Sequence, residues 1–235
     1  MSALAAARAA DGSLAVLDTR RGRGRWRALD PVGAHAHHHF TTTSDPRGAI
    51  DVLVDHWSAT GADPDRIRAD MTALHASLAA ADLLHPAPTP EHRPDKEVLF
   101  AARRPLRPTD RIAAAAAFAL AVTLLRCLPL RAALAVARCA TRLPGRPSAT
   151  GAARNLAQAV HQTGRWWPGR SACLEESLAT FLAAALTGRR LTWVLGARFA
   201  PHGFHAWTET SDAIIGQDES DRAWPYRAAL RIEHP

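Results

Sequence analysis

The sequence predicts an α+β protein in two parts. A small hairpin-plus-helices unit spans residues 1–85, and a larger helix-then-sheet unit spans residues 109–235. Three observations lead there. Residues 86–108 form a break: the run HPAPTPEHRPDKE is proline-rich and polar, a composition that disfavours helix and central strand and reads as a linker. Ahead of it, two short β-prone runs precede segments of helical periodicity. Beyond it, alanine-rich helices precede alternating, strand-like residues.

Ser13–Leu17 (SLAVL) and Arg25–Leu29 (RWRAL) are strands, and the glycine- and arginine-rich stretch between them is a hairpin turn. No strand is evident before Gly12. Gly33–Phe40 is a short helix. Asp45-Pro46 opens a second, with Ile50, Leu53, Val54 and Trp57 at helical spacing. Asp63-Pro64 caps a third that runs to about Leu84, its stripe of Ile67, Met71 and Leu74 reading as core. After the linker, Thr109 or Asp110 caps a long helix that Pro129 interrupts, and a further helix reaches Leu143. Gly151–Gln162 is helical. Ser171 caps a helix through Leu186 that Gly188 closes. Leu191–Gly196, His205–Thr210 and Ala213–Ile215 are strands.

Composition narrows the function. The formal net charge is +7, carried almost wholly by scattered arginines, with Lys96 the only lysine. No basic block interleaved with aromatics is present, so nucleic acid is not the expected partner. Three cysteines are too few for a disulfide framework, which points to a reducing, cytoplasmic setting. The start MSALAAARAADGS lacks the apolar core of a secretory signal, and the apolar run Ile112–Leu125 is too short for a spanning helix, so no stable membrane insertion is expected. Cys127 and Cys139, within apolar helices, read as core. Trp166-Trp167 read as packing anchors ahead of candidates for lining a cleft. The histidine run HAHHHF lacks a cysteine pair or ordered acid, and no metal or other cofactor is assigned.

The remaining cysteine carries the chemistry. Cys173 falls in the first turn of its helix, where unpaired N–H groups and the helix dipole stabilise a thiolate and can hold an oxyanion. Glu175 and Glu176 suit the helix start but would raise the thiol pKa if they face it. Downstream, His205 stands on a strand, the arrangement of papain-like and transglutaminase-like enzymes. If Ser211-Asp212 is the turn, Thr210 opposes Ala213, and five steps along each strand place Asp218 opposite His205. A slipped turn substitutes Gln217 or Glu219. A carboxylate there would hold the imidazole in the required tautomer.

These residues resemble a known family. CLEESLATFLAAAL followed by WVLGARFAPHGFHAWTE is similar to the transglutaminase-like B protein, the leader peptidase of lasso-peptide biosynthesis. Cys173, Leu174, Ser177, Gly196, Arg198, His205, Ala206, Trp207 and Glu209 fit its pattern over roughly Arg104–Leu230. The resemblance implies a cysteine peptidase with Cys173 as nucleophile, His205 as general base and acid, and an acid in the segment IIGQDESD, for which hairpin arithmetic selects Asp218. The first 85 residues resemble a winged-helix-like peptide-recognition domain, fused here to the peptidase. In such domains a leader peptide adds a strand to the sheet edge and lies against the last helix. That implies leader contacts at Trp26, Arg27 and Ala28 on the strand and at Arg66 and Asp70 on the helix. Where relatives carry large apolar residues, this chain has His37-His38-His39. The implied partners are a precursor peptide and a lasso cyclase resembling asparagine synthetase. A non-catalytic precursor-binding escort and an acyl transferase on the same scaffold are the alternative functions.

Overall fold

The computed structural model describes residues 3–90, 96–100, 106–216 and 226–234. The first unit opens with a three-stranded antiparallel sheet, β1 (Leu4–Arg8), β2 (Leu14–Asp18) and β3 (Arg25–Leu29), in that order. Strand β1 corrects the expectation of a hairpin alone. Its sequence LAAAR has no β-branched residue, and tertiary burial on both faces, with Ala5, Ala6 and Ala7 all buried, holds it extended. Three helices follow: α1 (Pro31–Thr42), α2 (Pro46–Ser58) and α3 (Pro64–Ala80). Each begins with proline, preceded by an aspartate whose side chain accepts a backbone N–H: Asp30 from Gly33, Asp45 from Arg47 and Asp63 from Asp65. Leu4, Ala6, Leu14 and Val16 face these helices and pack with Phe40, Leu53, Ile67 and Met71.

The histidine run lies on α1. His37 is buried, and its Nε2 lies 2.9 Å from the Leu83 carbonyl, so a neutral ring with a protonated Nε2 donates there. The polar residue fits the apolar site because that one bond satisfies it. His35 is in ring contact with His39, His56 and Trp57.

The second unit has a five-stranded sheet of order β10-β7-β8-β9-β4, covered by helices. Strand β4 (Glu97–Phe100) comes from the stretch expected to be linker and pairs in parallel with β9 (Ala213–Gly216). Central strands β7 (Thr192–Phe199) and β8 (His202–Glu209) form a long hairpin, and β10 (Arg227–Ile232), not foreseen, closes the other edge. The helices are α4 (Pro108–Cys127), α5 (Leu130–Ala140), α6 (Thr150–Arg165) and α7 (Cys173–Leu186). A short parallel pair, β5 (Arg146–Pro147) and β6 (Arg189–Arg190), ties the α5–α6 link to the end of α7. Neither Thr109 nor Asp110 caps α4; Arg107 holds that position, and Asp110 is buried, accepting from Arg189 at 3.0 Å. Cys127 and Cys139 are exposed, a correction to their reading as core. In so alanine-rich a pair of helices small side chains on either face mask the buried stripe, which runs through Ala113, Ala117, Phe118, Ala121 and Leu125 on α4.

The two sheets meet through small residues. Ala7 and Ala15 pack against Ala197 and Ala229, and Leu17 of β2 joins the core of the second unit. Methyl-sized side chains on both surfaces permit close approach. Farther along, Trp26 stacks on Phe204, with ring centroids 4.7 Å apart and planes 9° from parallel.

One buried carboxylate ties β8 and β10 to the residue ahead of β4. Glu209 Oε1 accepts from the Trp207 indole at 2.8 Å, and Oε2 from Arg231 at 2.7 Å and Lys96 at 3.2 Å. Burial pushes this carboxyl up, but the Trp207 bond and the Arg231 and Lys96 charges bring it below its ordinary value. Lys96 also donates to the Thr210 carbonyl at 2.6 Å.

Glu209→Gln leaves Arg231 and Lys96 poorly compensated, and should lower the urea unfolding free energy by about 3 kcal/mol. His37 titrates below its ordinary value, first because it is buried. Below about pH 6.5 the unfolded chain therefore gains a proton the folded chain resists, and stability falls as pH drops towards the folded value. Thermal melts between about pH 7 and pH 5 should show a shallower decline in His37→Gln than in the parent, and equal slopes would refute this role.

Candidate active site

Helix α7 starts at Cys173 itself. Ala172 is the N-cap and makes no side-chain cap bond, so Ser171 is not the cap. Its hydroxyl instead donates to Glu176 Oε1 at 2.9 Å, while Glu176 Oε2 lies 3.3 Å from His161 Nδ1. Glu176 is thereby engaged away from the thiol. Cys173 is half-buried at the helix N-terminus, against β8. Ser177, one turn on, accepts the Trp193 indole N–H at 3.0 Å and so docks the helix on β7.

Across from the helix start stands His205 on β8, whose imidazole acts on the Cys173 thiol. Burial pushes that thiol up. The His205 imidazole, together with the Ala206 backbone N–H, outweighs it and leaves the thiol below its ordinary value, although Glu175 opposes them. A thiol lowered in this way at a helix start can act as a nucleophile, and the free N–H groups of a first helical turn can hold an oxyanion.

The neighbours of His205 explain the spacing of the surrounding motif. His205, Trp207 and Glu209 alternate along β8 and share one face. Glu209 fixes the Trp207 indole, and the Trp207 and His205 rings lie 6.0 Å apart at 14°. Gly196, paired with His205 across β7–β8, leaves room for the indole: a Cβ there would come within 2.5 Å of Trp207 and of the Arg227 carbonyl. Tyr226, the only tyrosine, contacts His205 at 4.9 Å, and the Arg198 guanidinium covers the Tyr226 ring at 5.5 Å. Arg198 in turn crosses Gly203, where a Cβ would lie 2.6 Å from its Nε. Sequence reasoning did not find Tyr226, which no local pattern marks.

This geometry has a counterpart in sequence comparison: residues 114–230 match the description "Transglutaminase-like superfamily". The chain carries a transglutaminase-like superfamily domain. Comparisons with curated proteins and with solved structures give no match. The matched span includes Cys173, His205 and the Gly196–Trp207 contact, and it begins within α4.

The third catalytic candidate, Asp218, lies outside the described residues, as do Gln217 and Glu219. The hairpin register from which it was chosen is described: Thr208 pairs with Ile215 and Glu209 with Ile214, and the Thr210 N–H donates to the Ala213 carbonyl at 2.9 Å.

The five candidate leader-binding residues divide. Trp26, Arg27 and Ala28 lie on β3, whose outer edge is unpaired among the described residues, but the Trp26 ring is occupied by Phe204. Arg66 and Asp70 are exposed on α3. A cavity of about 760 Å³ runs between β3 and α3, lined by Ala28, Leu29, Met71 and Leu74 and reached by Phe199 and His202 of the transglutaminase-like domain. Arg27, Arg66 and Asp70 do not line it. Of the tryptophan pair, Trp166 is 90% exposed, while Trp167 contacts Phe118 and carries the Arg126 guanidinium at 5.5 Å.

Removing the imidazole should leave the Ala206 N–H as the remaining group that offsets burial and Glu175 at the thiol. In a Cys127→Ser/Cys139→Ser background, His205→Ala is expected to raise the pH midpoint of Cys173 alkylation by iodoacetamide by about one unit or more. An unchanged midpoint would show that the imidazole does not tune the thiol.

Proposed function

We propose that the chain is a cysteine peptidase that binds a ribosomally made lasso-peptide precursor and removes its leader. The observation that carries this reading is the placement of the Cys173 thiol at the N-terminus of α7 across from His205 of β8, whose imidazole draws it below its ordinary value. The superfamily match is compatible with peptidase or acyl-transfer chemistry. The open edge of β3 beside the α3 cavity supports peptide capture by strand addition.

In this reading the Cys173 thiolate attacks the scissile carbonyl and the helix N–H groups hold the oxyanion. His205 takes the thiol proton and delivers it to the leaving amine, giving an acyl-enzyme that water hydrolyses. Asp218 orients His205. The first unit holds the leader, with main-chain bonds from β3 and side-chain contacts from α3. The freed core passes to a lasso cyclase resembling asparagine synthetase. The setting is cytoplasmic; no helix among the described residues is long and apolar enough to cross a membrane.

Incubation with the precursor peptide encoded beside it, read by mass spectrometry, tests the proposal. One cut at the leader–core junction is expected, reduced roughly a thousandfold or more in Cys173→Ala and His205→Ala. Asp218→Asn should lose most of the rate with little change in leader affinity. Tight leader binding without a cut would favour an escort. A leader product with the mass of the hydrolysed leader plus an amine less one water would reassign the domain to acyl transfer.

A further inference from the structure

The hairpin between β2 and β3 reaches the nucleophile helix. Its turn rests on the corner between α4 and α5, where the Leu130 N–H donates to the Gly22 carbonyl at 2.7 Å. Gly22 and Gly24 both have positive φ, at +54° and +87°. At Gly24 a Cβ would stand 2.7 Å from Leu130 and 3.0 Å from Leu17, so the seat requires glycine. Between these glycines Arg23 extends to Glu175 and forms an ion pair with its Oε1. Glu175 is 1% exposed, two residues beyond Cys173, and Oε2 has no hydrogen-bond partner among the described residues.

A carboxylate so far from water needs a compensating cation. The cavity of about 820 Å³ at this junction is lined by Arg23, Arg126, Arg170 and Glu175. Arg126 is directed elsewhere, donating to the Arg170 carbonyl at 3.1 Å and covering Trp167. Among the described residues Arg23 is the cation paired with Glu175. Of the other titratable groups described at the helix start, His205 acts on the thiol and Glu176 is held by Ser171 and His161.

We infer that Arg23, supplied by the recognition-like unit, is a positioning residue for Cys173: it neutralises Glu175 at the start of α7 and so keeps the thiol reactive. The inference rests on Cys173 being the nucleophile. Glu175 raises the thiol, in keeping with this direction. The same hairpin carries β3, so the strand that would capture a peptide and the charge that conditions the thiol belong to one element.

Cys173 alkylation by iodoacetamide, followed against pH in the Cys127→Ser/Cys139→Ser background with no peptide present, tests it. Arg23→Gln is expected to raise the midpoint by about half a unit or more, and Arg23→Lys to restore most of it. Glu175→Gln should lower the midpoint, and adding Arg23→Gln to it should change nothing further. Circular dichroism and melting accompany each variant; if Arg23→Gln does not fold, the Glu175→Gln midpoint decides. An unshifted Arg23→Gln profile, or the same shift with and without Glu175, overturns the inference. Because no precursor is used, a failed cleavage assay with the predicted shifts would overturn the peptidase reading alone. Normal cleavage with unshifted profiles would overturn the Arg23 role alone.

Discussion

The buried carboxylate of Glu209 is the constraint on which the site depends. A charge withdrawn from water persists only where donors and cations surround it, and here they come from β8, β10 and the residue ahead of β4. Trp207 is fixed by that carboxylate, its ring bears on His205, and Gly196 supplies the space the indole needs. The His-Ala-Trp-x-Glu spacing is thus a geometric requirement. Alternation along β8 places His205, Trp207 and Glu209 on one face, and Lys96 fastens the chain leading into β4 to the same anchor.

A second layer of organisation joins the two units. Alanines on both sheets bring them close, Trp26 stacks on Phe204, and the Gly22–Gly24 turn rests against Leu130. The first unit is therefore packed on the transglutaminase-like domain. With Arg23 it also sends a charge to within two residues of Cys173, so the electrostatics at the thiol are shared between both halves of the chain. The cavity beside β3 likewise draws Phe199 and His202 from the second unit, which sets the open strand edge next to the β7–β8 turn.

Much of this was legible in the residues. The Asp-Pro starts of α2 and α3, the placement of Cys173 at a helix start and of His205 on a strand, and the Thr210–Ala213 register all follow from local chemistry: proline at the first helical turn, side-chain caps, and a two-residue turn. Local chemistry failed where side chains say little. The LAAAR strand looks helical because alanine favours helix, and β4 is flanked by prolines and acquires its pairing from β9. Cys127 and Cys139 sit on helices whose two faces differ too little in sequence to separate. Ser171 was a reasonable cap by type, but its hydroxyl found a better acceptor in Glu176.

The sequence by itself determined the order of elements around the site and the placement of Cys173 at a helix start and His205 on a strand, because caps, alternation and turn register act between residues close along the chain. Only the tertiary structure decided what surrounds them: Tyr226 against His205, Lys96 and Arg231 on Glu209, Arg23 on Glu175. These pairings join residues far apart in sequence. They are set by which buried charge lacks a partner and which surfaces are small enough to meet, and both conditions exist only once the chain has packed.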